Sequence, residues 1–470
     1  MKDGTFDYDT IVIGGGFAGV SACRDLSDQG YSVLLLEARD RLGGRTWSEQ
    51  RSVGDYEGIV ELGGQWVWPD RQVNMMSEIE RYGLTMTHSS MPECYPTLLA
   101  GQYNPGPLPV PLEDVYDFEK AAFKMLTDAH RIQRGVPLDR QNVEDLDIPY
   151  NEYLDSLGVS DSVRGFFTFF GTILTGRYPE EISALPPLGF IAQMDHSLIR
   201  TWGVLDAYIV EGTGALIQAM ADDSARADIR LETPVASVEQ NEDGVRVTTE
   251  AGDTFTAATV VVATPLACWS TIRFEPPLSE AKFTTSSERS VAYPVKVYAQ
   301  VKNAPRFPYM LAEAPQANGA AVIFGEHDLG EDGQLVVGFF IDHPDRDDRF
   351  GTSFAGIERF VKTMCPDAEL VAYECHDWVG DQWSGRGGMA AYPPQRLSRW
   401  HSELARPEGR VHFATSDIAS TFMAWMEGAV EMGKKAAVDV QRRLTREAIE
   451  VKVRARAKGS SGTAATRHEA

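Results

Sequence analysis

The sequence predicts an α/β protein of two domains, one with a parallel sheet assembled from distant segments and one of α+β type with a mixed sheet and helices. The length of 470 residues exceeds what one simple core accommodates. Over residues 9–37, an apolar strand leads into a glycine-rich turn, a helix and a second apolar strand. Residues 232–265 predict a β-meander that ends in a buried strand, and residues 411–437 predict a final strand and helix.

The first unit combines a strand at residues 11–13 with a helix at 17–29. Between them, Gly14 permits a tight turn, Gly16 lets the backbone approach a pyrophosphate, and Gly19 allows close packing of the helix on the strand. The helix N-terminus offers unpaired N–H groups and the positive end of the helix dipole to phosphate. This arrangement is typical of a Rossmann-type domain, so the segment predicts that the protein binds a dinucleotide.

The second apolar strand ends at Glu37. A carboxylate at this position can accept hydrogen bonds from both hydroxyls of an adenosine ribose. Ala38 and Arg39 continue the same turn, and we expect them to lie against the cofactor. Two more arginines, Arg41 and Arg45, then flank a glycine pair. Their position beside the phosphate-binding turn predicts additional donors for the pyrophosphate.

A second glycine pair follows, formed by Gly63 and Gly64, with Gln65 and Trp66 directly after it. Together with the arginine–glycine cluster, this segment resembles the flavin-containing amine oxidase family, in which these stretches hold the FAD pyrophosphate and line the isoalloxazine ring. A domain that binds nicotinamide alone would not need the second cluster. The resemblance therefore implies FAD as the cofactor, with these four residues against it.

The segments that carry these motifs lie far apart in the chain, which implies a discontinuous FAD-binding domain. In the same family, a backbone group in the first strand of the meander, here at Val235, contacts the adenine. We expect the FAD-binding domain to comprise residues 1–84, 203–289 and 401–449, and the substrate-binding domain 85–202 and 290–400. The polar and locally basic segment 450–470 is expected to be a disordered tail.

Near the C-terminal end, Asp417 follows a strand, and a helix begins close to Trp425, Met426, Glu427 and Ala429. These residues match the family's closing motif, except that tyrosine is commoner than tryptophan at the aromatic position. The resemblance implies that Asp417 binds a ribityl or phosphate-linked donor, that the other residues contact the cofactor, and that Trp425 also faces the substrate. The N-terminus of such a helix can stabilise negative charge on the reduced ring.

A lone lysine, Lys296, lies among apolar residues in the strand-like segment 293–298. A lysine in a strand usually faces solvent. This one falls where the family places its single lysine near flavin N5, holding a water that assists reoxidation by O2. We therefore expect a buried amine with a lowered pKa, and a catalytic role for Lys296 together with Trp425.

Two stretches, 128–132 and 143–153, are similar to the bacterial 6-hydroxynicotine oxidases, although residues 169–174 lack the asparagine expected of them. The run 384–389 carries neither the Cys that links flavin covalently in monoamine oxidases nor the Tyr beside it. The expectation is therefore non-covalent FAD. The resemblance implies oxidation of a primary or secondary small-molecule amine to an imine by hydride transfer to flavin N5, with O2 or another acceptor taking the electrons and H2O2 released.

Three other functions stay open. An L-amino-acid oxidase would need a buried arginine for the substrate carboxylate, and Arg177, Arg200 and Arg386 are the candidates. A dehydrogenase would pass electrons to a protein acceptor, and a non-catalytic flavoprotein would bind FAD without turnover. A homodimer is one option for the assembly.

Composition and charge argue against several classes of partner. A formal net charge of −24 disfavours nucleic acid and anionic membrane surfaces. No apolar run approaches the length of a membrane span, and the first strand begins too early to leave room for a signal peptide. The 5 cysteines and 9 histidines show no metal-ligand spacing. We therefore expect no metal, and reduced thiols in a cytoplasmic protein.

Overall fold

A computed structural model of the protein describes residues 6–203, 205, 207–313, 321–345 and 349–462. In this part of the chain, the strands are β1 (Tyr8–Ile13), β2 (Val33–Leu36), β3 (Ser48–Val53), β4 (Tyr56–Glu61), β5 (Trp66–Val67), β6 (Met86–His88), β7 (Thr97–Leu99), β8 (Gln102–Asn104), β9 (Ala207–Ile209), β10 (Ala227–Arg230), β11 (Val235–Gln240), β12 (Val245–Thr249), β13 (Thr254–Val262), β14 (Arg273–Glu275), β15 (Pro294–Lys302), β16 (Tyr309–Ala312), β17 (Ala321–Asp328), β18 (Gln334–Ile341), β19 (Glu369–Cys375) and β20 (Val411–Phe413). The helices are α1 (Phe17–Asp28), α2 (Val73–Arg81), α3 (Val115–Ala129), α4 (Tyr150–Ser156), α5 (Asp161–Thr175), α6 (Leu185–Gln193), α7 (Thr213–Asp222), α8 (Glu280–Ser287), α9 (Phe354–Met364), α10 (Leu397–Ala405) and α11 (Met426–Gly462).

The eight-stranded sheet is built from segments that are distant in sequence. Its order is β10-β2-β1-β13-β12-β11-β14, and β20 pairs with β13 beside this path. Strands β10, β2, β1, β13 and β20 pair in parallel, whereas β11, β12 and β13 form the predicted antiparallel meander. This arrangement confirms the predicted α/β class and the return of residues 411–413 to the first sheet.

Packing around the first helix explains why small residues occur there. A Cβ added at Gly19 would lie 1.8 Å from the carbonyl oxygen of Gly14, so only glycine lets α1 approach the turn. On the other side of α1, a Cβ at Gly433 of α11 would lie 2.3 Å from the carbonyl oxygen of Ala18. The closing helix therefore packs directly on the first one and holds the two ends of the chain together.

The second large sheet has seven strands in the order β19-β15-β18-β17-β16-β7-β8. Strand β15 lies next to the edge strand and pairs antiparallel with β19 on one side and β18 on the other, which places Lys296 opposite Phe339. The other two sheets are small, the pair β3-β4 and the three-stranded β5-β9-β6. The mixed sheet confirms the α+β character predicted for the second domain.

The apolar run 150–176 forms two helices, α4 and α5, with Gly158 at φ of +60° between them. Residues 97–104 form the β7–β8 hairpin. The expected disorder from residue 450 is wrong as far as Gly462, because α11 continues through this segment. The segment is rich in strong helix formers and carries an ion pair between Arg446 and Glu450. Residues 463–470 lie outside the described residues.

Among the described helices, none combines the length and the apolar character needed to cross a lipid bilayer.

Candidate active site

One continuous cavity of about 530 Å³ is lined by residues of both large sheets and of the helices around them. At one end it reaches the carboxyl end of β2 and the start of β11, where Glu37 and Val235 line it. At the other end its wall is apolar and largely aromatic, formed by Phe169, Ile173, Leu174, Phe190, Tyr309, Leu311 and Trp425. Most of the residues predicted to bind the cofactor share this single space, namely Gly14, Gly16, Glu37, Ala38, Arg39, Arg45, Gly63, Gly64, Gln65, Trp66, Val235, Met426 and Ala429.

The glycine turn after β1 has the geometry of an anion cradle. Gly14 adopts φ of +104°, which L residues with side chains rarely adopt. A Cβ at Gly16 would have no neighbour closer than 3.8 Å, so open space faces the backbone there. Within the described chain, no side chain caps the N-terminus of α1. The first N–H groups of α1 are thus left for a ligand, and the site fits the phosphates of a dinucleotide.

Glu37 is buried beside this turn and its carboxylate is fixed by two backbone groups. One oxygen accepts a hydrogen bond from the Gly15 N–H at 2.6 Å, and the other accepts one from the Arg39 N–H at 2.9 Å. Each oxygen retains a second lone pair. The oriented carboxylate can therefore accept two further hydrogen bonds from vicinal hydroxyls, as predicted.

Asp417, predicted to bind a ribityl or phosphate-linked donor, is not among the residues that line the cavity. Its carboxylate accepts hydrogen bonds from Arg45 at 2.8 Å, from the Leu266 N–H at 3.0 Å and from the Ala390 N–H at 3.2 Å. Burial raises the pKa of Asp417, but these donors outweigh it, so the pKa lies below its usual value. Asp417 therefore holds the Arg45 guanidinium, which does line the cavity.

Glu427, also predicted to contact the cofactor, makes its hydrogen bonds to another helix. Its buried carboxylate accepts hydrogen bonds from the N–H groups of Asn74 and Met75 and from the Asn74 side chain, at 2.8–3.1 Å. These groups belong to the first turn of α2, whose free N–H groups need acceptors. Glu427 thus joins α11 to α2 and lies outside the cavity wall. Gly19 likewise lies outside the wall and acts through helix packing.

Arg41 supports a loop rather than adding a donor for a phosphate. Its guanidinium donates to the carbonyl oxygens of Leu42, Gly44 and Thr46 and lies 4.5 Å from the centre of the Trp47 ring. Burial and then the nearby Arg39 lower the pKa of Arg41 to about 10. Arg41 therefore fixes the loop that carries Arg45 into the cavity.

Lys296 is buried in the cavity wall, as predicted, with 3% of its surface exposed. Its Nζ donates to Oε1 of Gln65 at 2.6 Å and to the Gly63 carbonyl oxygen at 3.2 Å. The same Nζ lies 4.4 Å from the centre of the Trp66 ring, in a cation–π contact. Burial lowers the pKa of Lys296 to about 7, although Glu61 and Glu326 favour the charged form.

Glu326 is a site residue that sequence analysis missed. It lies on β17, 3% exposed, and accepts a hydrogen bond from the Gln65 side chain. Burial raises the pKa of Glu326 to about 7. No local pattern distinguishes this acid from an ordinary solvent-facing residue of a strand. Only the pairing of β17 with β18, and of β18 with β15, brings it near Lys296.

Trp425 lines the apolar end of the cavity, where it stacks on Phe190 with ring centres 5.6 Å apart and an angle of 16° between the planes. Phe190 lies on α6 and was not identified from the sequence. None of the arginines considered for an amino-acid carboxylate lines the described cavity. Arg177 pairs with Glu181 and Arg200 pairs with Asp195, whereas Arg386 is exposed. This arrangement argues against an L-amino-acid oxidase.

The run 384–389 contributes Gly388 and Met389 to the cavity wall. A cysteine from another segment, Cys268, also lines it. Burial raises the pKa of Cys268 to about 12, so its thiol stays protonated and unreactive near neutral pH. In the described ranges, no group of three or more His, Cys, Asp or Glu side chains is placed to hold a metal ion.

The chain is similar in sequence and in fold to several known proteins. The family model for flavin containing amine oxidoreductase matches residues 17–441. The chain is 32% identical over 430 residues to (S)-6-hydroxynicotine oxidase of Paenarthrobacter nicotinovorans, covering 91% of this chain and 98% of that protein. It is 31% identical to pseudooxynicotine dehydrogenase of a Pseudomonas species, covering 92% and 86%. A solved structure of putrescine oxidase bound to putrescine superposes with a TM-score of 0.80 at 24% identity, covering 93% of this chain and 99% of that one.

Proposed function

Because this chain belongs to the family of flavin-containing amine oxidoreductases, we propose that it holds FAD non-covalently and oxidises an amine on an apolar body to an imine. The observation that carries the proposal is the single cavity that extends from Glu37 past Lys296 to Trp425. A dinucleotide-binding end and an apolar amine-binding end are thereby joined in one space. The similarity to nicotine-degrading enzymes favours a cyclic or aromatic amine, since the far end of the cavity is largely aromatic.

The chain offers a separate contact for each part of FAD. The Glu37 carboxylate would accept the ribose hydroxyls, and the backbone at Val235 would lie against the adenine. The N-terminus of α1 would face the pyrophosphate, with the Arg45 guanidinium, fixed by Asp417, as an additional donor. The run 384–389 provides no cysteine, and Met389 lines the cavity there. The absence of a cysteine from this run supports non-covalent binding.

The protein's part in the reaction is to position a neutral amine in a dry, apolar space. The rings of Trp425 and Phe190 would flank the amine and direct its α C–H bond, while the surrounding apolar side chains exclude water. When bound, the flavin supplies the hydride acceptor and returns the electrons to O2. The imine product then hydrolyses in water. No strong base is needed if the amine enters unprotonated.

Lys296 would hold a proton at Nζ beside this space. Its pKa of about 7 lets the side chain exist in both protonation states at neutral pH. The ammonium form can stabilise negative charge that develops during electron transfer to O2, because few other charges are available in the desolvated wall. Gln65 keeps Nζ directed to one place in either state.

One relative with comparable identity is named a dehydrogenase, so transfer of electrons to a protein acceptor is a second candidate. Both candidates share the amine half of the reaction. They differ in how fast the reduced enzyme responds to O2, which stopped-flow mixing with air-saturated buffer measures directly.

A peroxide-release screen across cyclic, aromatic and aliphatic amines tests the proposed oxidase. The purified protein should be yellow, should lose its visible absorbance when an amine is added without O2, and should release flavin on denaturation. Peroxide should form in equal amount to the imine-derived product. A colourless protein that stays colourless after incubation with FAD would refute the proposal. Bleaching by an amine without peroxide release would favour the dehydrogenase.

A further inference from the structure

The strongest unassigned feature is the buried carboxylate of Glu326, which has an incomplete set of partners. Among the described residues, no group is within hydrogen-bonding distance of its Oε2. Its carboxylate accepts a hydrogen bond from the Gln65 side chain. A buried acid with an unsatisfied oxygen costs folding free energy, which points to a role other than stability.

Gln65 connects this acid to Lys296. Its Oε1 accepts two hydrogen bonds, from Lys296 Nζ at 2.6 Å and from the Tyr298 hydroxyl at 2.8 Å. Two donors fix the amide oxygen on that side, so the amide NH2 group is directed at Glu326. Glu326, Gln65 and Lys296 thus form one buried series of polar contacts that ends at the cavity wall.

The second carboxylate near Lys296 is used differently. Glu61 accepts hydrogen bonds from the Thr213 N–H at 2.6 Å, the Thr213 hydroxyl at 3.0 Å and the Ser48 hydroxyl at 2.8 Å. These bonds tie β4 to the start of α7, and Glu61 has a structural function there. In the part of the chain that the structure describes, Glu326 has no comparable structural contact through its carboxylate, so its charge can respond to Lys296.

Three phenols and one imidazole lie near Glu326. Tyr56, Tyr208 and Tyr298 lie within electrostatic reach of Glu326, and burial raises the pKa of each phenol, that of Tyr208 to about 12. His327, next to Glu326 and stacked on Tyr56 at 5.1 Å, has its pKa lowered by burial. Lys296 and Glu326 have pKa values of about 7, so the charges of these two side chains change near neutral pH.

We propose that Glu326 is a positioning residue of the active site, which directs Lys296 Nζ through Gln65 and balances its positive charge. The inference rests on the proposed function only for the role of Lys296. Removing the Glu326 charge would withdraw a stabilising interaction from the ammonium, and Lys296 would lose its proton at lower pH. Similar pKa values, about 7 for both groups, agree with a matched pair.

Glu326→Gln tests this, because it keeps the size of the side chain and an oxygen for the Gln65 amide. We expect the pH profile of reoxidation by O2 to move by about one unit to lower pH, with the KM for the amine changed less than twofold. Tyr56→Phe is the matched control, since it alters a neighbour of Glu326 whose hydroxyl bonds to the Ile59 carbonyl oxygen and leaves both charges and the hydrogen bonds of Gln65, and its profile should stay in place. Glu326→Asp should restore the wild-type profile.

A second readout needs neither turnover nor cofactor. The unfolding midpoint of the cofactor-free wild type should fall as pH rises from about 5 to about 7, because buried acids with raised pKa values, Glu326 and Glu431 among them, lose stabilising protons. Glu326→Gln should show a smaller fall than the wild type, because only the contribution of Glu326 is removed. An unchanged pH dependence in both readouts overturns the proposal, as does an effect confined to the KM, which would make the carboxylate a substrate contact. If the protein oxidises no amine but the stability result holds, the proposed function fails and the Glu326–Lys296 coupling stands.

Discussion

Replacing Lys296 by methionine should change how the stability of the protein depends on pH. Lys296 is buried, and burial lowers its pKa to about 7 from 10.5. Between these two values, the unfolded chain binds a proton that the folded protein lacks. The stabilising contribution of the neutral amine is therefore complete above pH 10.5 and is lost as pH falls through 7. Lys296→Met removes this dependence while filling the same apolar wall.

The size of the effect follows from the two pKa values. At about 1.4 kcal/mol per pKa unit, the whole interval corresponds to about 5 kcal/mol. Only part of this pH interval can be used in an experiment, because other lysines and tyrosines titrate at its upper end. Between pH 7 and pH 9, the free energy of unfolding of the wild type should rise by about 2 kcal/mol relative to Lys296→Met.

Urea unfolding of the cofactor-free proteins at several pH values measures this difference. Lys302→Met is the matched control, because Lys302 ends the same strand but its side chain is 37% exposed. Its curve should run parallel to that of the wild type. If the Lys296→Met curve is also parallel, Lys296 is not a desolvated amine and the reasoning about its role fails. In the holoenzyme, the same variant should slow reoxidation by O2 far more than it weakens FAD binding.

Three further predictions concern the rest of the site. Glu37→Gln should weaken FAD affinity by about 10- to 100-fold in calorimetric titration, because the charged acceptor for the ribose hydroxyls is lost. Unchanged affinity would mean that the carboxylate only stabilises the turn. Trp425→Ala should lower kcat/KM for aromatic amines by about 10- to 100-fold with FAD affinity retained, since one wall of the amine site is removed; equal losses for all amines would contradict a stacking role. Glu427→Gln should lower the free energy of unfolding by about 1–3 kcal/mol, because an amide cannot serve the N–H groups of Asn74 and Met75 equally well; a selective loss of FAD binding would restore the predicted ligand role.

Local motifs correctly predicted the backbone elements around Glu37 and at the start of α11. The glycine turn, Glu37 and the start of α11 depend on residues that are close in sequence, where spacing alone sets the geometry. The same motifs did not reveal the partner of each side chain. Asp417 and Glu427 occur in the expected places, but one holds Arg45 and the other holds α2, and these partners are more than 300 residues away in the chain.

Long-range pairing explains the features that sequence reasoning missed. Glu326 becomes a neighbour of Lys296 only through two antiparallel strand pairings, and Phe190 meets Trp425 across separate helices. The helix at residues 450–462 was missed for another reason. Its polarity indicated disorder, whereas its helix formers extend a helix already begun at Met426, and extension avoids the cost of nucleation.

The hydrogen bonds around Asp417 also restrict how the enzyme can open. Arg45 and Asp417 come from segments predicted for the cofactor domain, and together they grip the backbone at Gly388 and Ala390, which was predicted for the other domain. Separating these segments would break the hydrogen bonds from Arg45 to Gly388 and from Ala390 to Asp417 and would leave the buried carboxylate with fewer donors. These bonds therefore oppose a large movement of one segment away from the other.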